Sequence, residues 1–363
     1  MGRAADQGAS TVDLGLEEIR TASDAVLEDL LNREAGTLRE LGLVKHLDAI
    51  RPLLLSAQGK RMRAMFCFWG WRGAGANGSR RNVEIAATAL ELQHSAFLIH
   101  DDMIDRSKLR RGQPTVYRRM ADHHAGQGWH GSSTGFGDAT ALTLGDLCFA
   151  WASELIEGCT HGERLTHVLA VYHRMYADAA YGQLLDAQVQ ADRAFLPQRC
   201  LAAARFKAAR YMVAPPLQIG AALAGADPAV REAYGKFGAA LGEAYQLRDD
   251  VLGVFGNPAE TGKPNLDDLR EGKPTFLFAT ALQRADRGQR ERLLNLYGDR
   301  DLDDDSAGEL RSLIQDTKAH DVVESVIRAR AGEAEHILKT APITSDARTA
   351  LALLANRALF RTR

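Results

Sequence analysis

The sequence is short of the features that would place it in several large classes of protein. It has four cysteines, Cys67, Cys148, Cys159 and Cys200, and no two of them form a C-x-x-C pair. Neither a disulfide framework nor a cysteine zinc site is expected, and reduced thiols in a cytoplasm fit best. No sign of charge dominates: 45 Lys and Arg against 47 Asp and Glu leave a net −2. No global field therefore selects for nucleic acid or an anionic membrane. The N-terminus lacks the apolar core of a signal peptide, and position 6 is Asp where a myristoylation signal needs Ser or Thr. No stretch reads as long and apolar enough to span a bilayer, so no membrane anchor is expected and a greasy substrate would be met by a pocket. Sustained period-2 alternation is absent and β-branched runs are short, which argues against sheet.

What the sequence does have is helical spacing. Its 363 residues, 45% hydrophobic and 25% charged, suit a globular chain with a large core. Apolar residues recur at helical intervals from Leu14 through Leu16, Ile19, Ala22, Val26 and Leu30, and the pattern resumes after each punctuation to the end. The expected fold is all-α: one domain over 13–363 behind a disordered tail at 1–12. Two Gly-rich stretches, 121–138 and 256–273, read as loops, and Pro215-Pro216 should kink the helix around them. There is no fixed-period repeat, but two acidic clusters, around Asp101 and Asp249, each lie at the C-terminal end of a long expected helix, just before a basic loop.

In the first cluster Asp101 and Asp105 share a helical face one turn apart, with Asp102 flanking. Like charges at this spacing cost about 0.2–0.5 kcal/mol, and anions at a helix C-terminus roughly 0.3–1 kcal/mol more. Three carboxylates thus sit where helix energetics disfavour them, and a bound cation would offset that. Mg²⁺ fits, because it takes one or two carboxylates and completes its shell with water and phosphate oxygens. Arg110 and Arg111 follow directly, and guanidinium groups bind phosphate bidentately. In the second cluster Gln246 and Asp249 share a face with Asp250 beside them, and Lys263 and Lys273 lie beyond. Elsewhere Lys60 and Arg63 are spaced to reach one phosphate, Gln183 and Asp186 share a face amid Ala and Leu, and Lys207 sits in an apolar run.

These residues resemble a known family, the trans-isoprenyl diphosphate synthases or polyprenyl synthetases. HDDMIDRSKLRRGQPT (100–115) is similar to the family's first aspartate-rich motif with its basic tail, and QLRDDVLGVFG-x-x-x-x-TGK (246–263) to its second. The likeness runs from about Gly59 to Lys273. It implies a helical bundle of the isoprenoid synthase type with a central active-site cavity, and Mg-dependent condensation of isopentenyl diphosphate with an allylic diphosphate. By the resemblance, about three Mg²⁺ ions are held by Asp101 and Asp105, with Asp102 in support, and by Asp249. Arg110, Lys207 and Lys263 would grip the allylic diphosphate. Lys60, Arg63, His94 and Arg111 would hold isopentenyl diphosphate. Lys273 joins the diphosphate site, and Gln183 and Gln246 lie beside the reacting carbons. The resemblance also implies a homodimer. Phe97, with small Ala96 beside it, lies one turn before Asp101, about 6 Å along the axis. One aromatic next to a small residue looks closest to makers of geranylgeranyl diphosphate, with farnesyl diphosphate second.

The chain departs from the family pattern at two points. The second motif's usual third Asp is Gly253, and a Lys-Thr pair is Lys207-Ala208. These keep a non-catalytic partner subunit open as an alternative. A class I terpene cyclase is another, although no Asn/Ser/Glu metal triad replaces the second motif. Two E-x-x-H matches, Glu91–His94 and Glu333–His336, leave a di-iron bundle as a third.

Overall fold

The computed structural model describes residues 2–55, 59, 61–256 and 266–359; Lys60 and Lys263 lie outside them. The fold is all-α, as expected, with one hairpin of two-residue strands among the described residues. Helices α1 (Gly2–Glu40), α2 (Val44–Leu54), α3 (Met62–Gly73) and α4 (Arg80–Ile104) come first. Strands β1 (Leu109–Arg110) and β2 (Gln113–Pro114) follow, and then α5 (Val116–Gly126), α6 (Ser133–Gly158), α7 (Gly162–Asp192) and α8 (Pro197–Ala204). A single π-helical turn, Arg205–Ala209, leads into the short α9 (Arg210–Met212), then α10 (Ala214–Ala224) and α11 (Pro228–Phe255). The remainder is α12 (Asp267–Glu271), α13 (Phe276–Arg284), α14 (Arg287–Leu296), α15 (Asp304–Asp316), α16 (Ala319–Thr340) and α17 (Ser345–Leu359).

The described chain divides into two compact units where one domain was expected: Met1–Leu169 with Ile219–Gly225, and Ala170–Gln218 with Ala226–Arg363. The core of the first unit is apolar: Leu27 and Leu31 of α1, Ile50 and Leu54 of α2, Leu92, Ala96 and Ile99 of α4, Met120 of α5, and Leu144 and Cys148 of α6. In the second, Phe278 of α13 stacks flat on Tyr297 with ring centroids 3.5 Å apart, and Phe195 meets both rings edge-on. All four cysteines are buried free thiols. Burial pushes those of Cys148, Cys159 and Cys200 up to about 12 and Cys67 higher still.

Several expectations need correction. Residues 2–12 are not a disordered tail but the start of α1, a 39-residue helix; the Ala-rich stretch has no proline, and alanine is the best helix former. The expected loop at 121–138 shrinks to the residues between α5 and α6. Ser132 Oγ accepts from Gly135 N–H at 3.1 Å, which caps α6 and starts it six residues early relative to the apolar pattern at 139. Two glycines here are contact points. A Cβ on Gly137 would lie 2.3 Å from Tyr117 O, and one on Gly145 2.2 Å from His100 Nε2. The expected loop 256–273 contains α12. At Pro215-Pro216 the chain does more than kink: the helix ends at Met212, capped by Val213, and α10 restarts with both prolines in its first turn, where their missing N–H groups have no intrahelical partner to lose. Finally, α6 is long and apolar enough to cross a membrane by length and composition, which the sequence reading had excluded. Of its most apolar window 44% is buried within the protein.

Two glycines frame the π turn. Cβ atoms on Gly182 of α7 and Gly242 of α11 would lie 2.0 Å from Lys207 N and 2.4 Å from Ala209 O. Only glycine admits this approach, and π turns recur at functional sites. Gly182→Ala should therefore lower stability by about 1–3 kcal/mol. Gly308→Ala in α15, where a Cβ meets nothing within 4 Å, should be neutral or stabilise by about 0.5–1 kcal/mol. Thermal unfolding of the two variants checks the contrast, and equal midpoints would contradict it.

Candidate active site

In the first unit the acidic motif closes α4. Asp101 and Asp102 lie in its last turns and Asp105 is the C-cap, its N–H bonded to Asp101 O. The chain then turns back through the β1–β2 hairpin, paired Leu109 with Pro114 and Arg110 with Gln113. Its central residues Arg111 and Gly112 both have positive φ, +52° and +71°, as a two-residue turn between twisted strands requires. The hairpin returns Arg110 to the helix it left. Arg110 Nε and Nη2 both reach Asp102 Oδ1, at 2.8 and 2.5 Å, and Nη2 lies 3.9 Å from Asp101 Oδ2. Asp102, its side chain only 2% exposed, is thus engaged by Arg110, while Asp101 keeps 27% exposure. Although burial disfavours the Arg110 charge, Asp102 and its neighbours raise the guanidinium above its ordinary value.

Behind this pair the structure gathers positive charge. Arg61, Arg63, Arg110 and Arg111 all act on His94, and burial first, then these four charges, hold its imidazole well below the usual range. Burial likewise lowers Arg111, with Arg61, Arg110 and Arg63 adding repulsion and Glu91 opposing. A neutral imidazole and several guanidiniums crowded against their own charge are chemistry suited to an anion. The sequence reading missed the residue that organises them. The buried Glu91 carboxylate accepts from the N–H groups of Arg63 and Ala64, both at 3.1 Å, at the start of α3. It also lies 3.8 Å from Arg61, which bonds Asp24 and Leu54 O. In the sequence Glu91 stands out only as half of an E-x-x-H pair, because the helix N-terminus it caps lies far off in the chain. A cavity of about 330 Å³ opens beside these groups, lined by Asp102, Arg110, Arg111, Gln113, Thr115 and Arg119 among others. Phe97, partly buried on α4, meets Phe149 of α6 edge-on at 5.0 Å, and His100 meets the same ring at 5.6 Å. Ala96 is fully buried in the core.

In the second unit the motif closes α11. Gln246 Nε2 donates to Asp250 Oδ1 at 2.9 Å. Burial pushes the Asp250 carboxyl up to about 7; Asp249 and Asp268 add to the rise, and Gln246 and Lys273 oppose it. Lys207 Nζ, on the π turn, donates to Asp186 Oδ2 at 2.9 Å, and Gln183 lies one helical turn before Asp186, partly buried. Lys273 Nζ donates to Asp268 Oδ1 at 2.7 Å.

The donor set fits a hard dication. Asp101 and Asp105 offer carboxylate oxygens one turn apart, beside guanidiniums suited to phosphate. Among the described residues no three His, Cys, Asp or Glu side chains converge on one point, and Mg²⁺ is commonly held by one or two carboxylates plus substrate phosphates. The di-iron alternative loses its ligands: Glu91 caps α3, and Glu333 pairs with Arg330 at 2.7 Å.

An all-α fold whose long helices end in aspartate-rich motifs, the first with an arginine turned back onto it, is the pattern of a metal–diphosphate enzyme class. The family description "Polyprenyl synthetase" matches residues 44–315, and the chain belongs to that family. It is 31% identical to the geranylfarnesyl diphosphate synthase of Aeropyrum pernix, over 85% of this chain and 92% of that enzyme. With the (2E,6E)-farnesyl diphosphate synthase of Mycobacterium tuberculosis it shares 34% identity over 60% of this chain and 55% of that one. In structure it is similar to the geranylgeranyl pyrophosphate synthase of Corynebacterium glutamicum, solved with isoprenyl diphosphate and magnesium: TM-score 0.91, 31% identity, 95% of this chain and 99% of that one.

Because the fold holds His94 neutral, the unfolded chain takes up a proton there more readily than the folded one. This contribution is complete above about pH 6.5 and is lost as pH falls below it. His94→Asn should shrink the stability difference between pH 8 and pH 5 in urea unfolding; an unchanged difference would place the acid sensitivity elsewhere.

Proposed function

We propose that the protein condenses isopentenyl diphosphate with an allylic prenyl diphosphate, head to tail, to give a short-chain trans-polyprenyl diphosphate, geranylgeranyl diphosphate first and farnesyl diphosphate second. The observation that carries the reading is the pairing of the α4 carboxylates with the Arg110–Arg111 hairpin, backed by the basic groups around His94. Both acidic motifs are assigned to this one reaction because the family match spans both.

Asp101 and Asp105, supported by Asp102, and Asp249 are the residues that would hold Mg²⁺. When bound, the ions supply charge neutralisation of the leaving diphosphate. Arg110, Lys207, Lys263 and Lys273 hold the allylic diphosphate, so the allylic C–O bond breaks with its electron pair leaving on oxygen. Gln183 and Gln246 turn amide dipoles toward the resulting cation. Arg63, Arg111, Lys60 and neutral His94, which can donate one hydrogen bond, hold isopentenyl diphosphate. Its double bond supplies the electron pair of the new C–C bond, and a proton then leaves the adjacent carbon for the released diphosphate. Water must be kept out, or the cation is quenched. A cytoplasmic homodimer completes the reading.

Incubation with isopentenyl diphosphate, each allylic primer and Mg²⁺, followed by product chromatography, tests it. A cyclic hydrocarbon formed without isopentenyl diphosphate points to a terpene cyclase, and no product at all to a non-catalytic subunit. Asp101→Ala and Asp105→Ala should each abolish turnover with an unchanged helical circular dichroism spectrum; near-normal activity in either sinks the metal assignment. Phe97→Ala removes the ring that meets Phe149 and should lengthen the product by at least one isoprene unit. An unchanged product means that Phe97 is not the floor of the pocket.

A further inference from the structure

Gly253 occupies the position where the family's second motif ends in a third aspartate, one turn after Asp249 on α11. In this chain that place is not vacant. A Cβ built on Gly253 would lie 1.9 Å from Asp268 Oδ2 and 3.0 Å from its Cγ, and the three nearest atoms all belong to Asp268. The carboxylate of α12 thus fills the volume that a side chain at 253 would take.

From there it holds Lys273. Asp268 Oδ1 accepts from Lys273 Nζ at 2.7 Å, and Glu271 Oε2 lies 3.1 Å from the same nitrogen. The lysine backbone is fixed independently. Gly272, with φ +66°, ends α12, and Lys273 O accepts from Thr275 N–H and from the Tyr297 hydroxyl. With its main chain held by Tyr297 and its ammonium by Asp268, Lys273 is confined to one direction, at little further entropic cost when an anion binds.

We propose that Gly253 is a clearance residue: it admits Asp268 as the third carboxylate of the second acidic motif, and Asp268 in turn positions Lys273. The glycine is then a rearrangement of the motif and not a loss from it. A carboxylate restored at 253 would collide with the one already there. The proposal rests on the prenyl-transfer reading, which assigns Lys273 to diphosphate.

The test is a double-mutant cycle in the full chain with Gly253→Ala, Asp268→Asn and the pair combined. Affinity for inorganic pyrophosphate with Mg²⁺ is read by calorimetry, and KM and kcat with allylic substrate separately. Each single change should weaken pyrophosphate binding roughly ten-fold, the worth of one charge-assisted hydrogen bond, and raise KM more than it lowers kcat. The pair should be no worse than either alone, because both act through one carboxylate. Gly253→Asp should lower activity. Additive losses, unchanged affinity in both single variants, or a Gly253→Asp variant more active than the unaltered chain overturns the proposal. If Gly253→Ala does not fold, the cycle of Asp268→Asn with Lys273→Met replaces it: coupling supports the proposal and additivity overturns it. The expected couplings in a chain that makes no prenyl product would overturn the proposed function and leave this inference standing; product with additive losses would do the reverse.

Discussion

The contact on which the first half of the site depends is the ion pair between Asp102 and Arg110. A buried carboxylate is costly unless paired and hydrogen-bonded. Asp102 meets that condition through Arg110, which the two-residue turn at Arg111-Gly112 sends straight back to α4. The pair welds the hairpin to the helix end. Once it forms, Asp101 remains more exposed on the same turn, and Arg111 is carried into the basic group around His94.

The same logic governs the rest of the basic group. Four guanidiniums near one imidazole repel each other, and the fold tolerates them because Glu91 and Asp24 sit beneath Arg61 and at the start of α3. In the second unit Glu243 plays a similar part: although burial opposes its charge, Arg205 and Arg330 keep its carboxyl below the usual range. Buried acids anchor the scaffold side of each basic residue set.

Much of this was legible in the sequence, for reasons that can be named. Helical spacing marks most of the long helices, and the family's two motifs are local in sequence, so Asp101, Asp105, Arg110, Arg111 and Asp249 stand out as candidates from the sequence alone. What could not be read is what depends on partners distant in the chain. Gly137 reads as a loop residue because its clearance for Tyr117 leaves no local trace. Glu91 looked like a metal ligand because the helix it caps starts 29 residues earlier, at Met62. Gly253 looked like a defect because Asp268 reaches it from another helix.

The buried thiols carry a practical consequence. A thiol pushed up to about 12 is almost wholly protonated at neutral pH, and the thiolate is the reactive form. Cys67, Cys148, Cys159 and Cys200, each no more than 1% exposed, are therefore expected to react slowly with alkylating reagents while the fold is intact. The chain is a ready background for site-directed labelling: one cysteine introduced at an exposed position such as Leu41 would be the reactive one, and a dye or spin label there could follow ligand binding with no native cysteine removed.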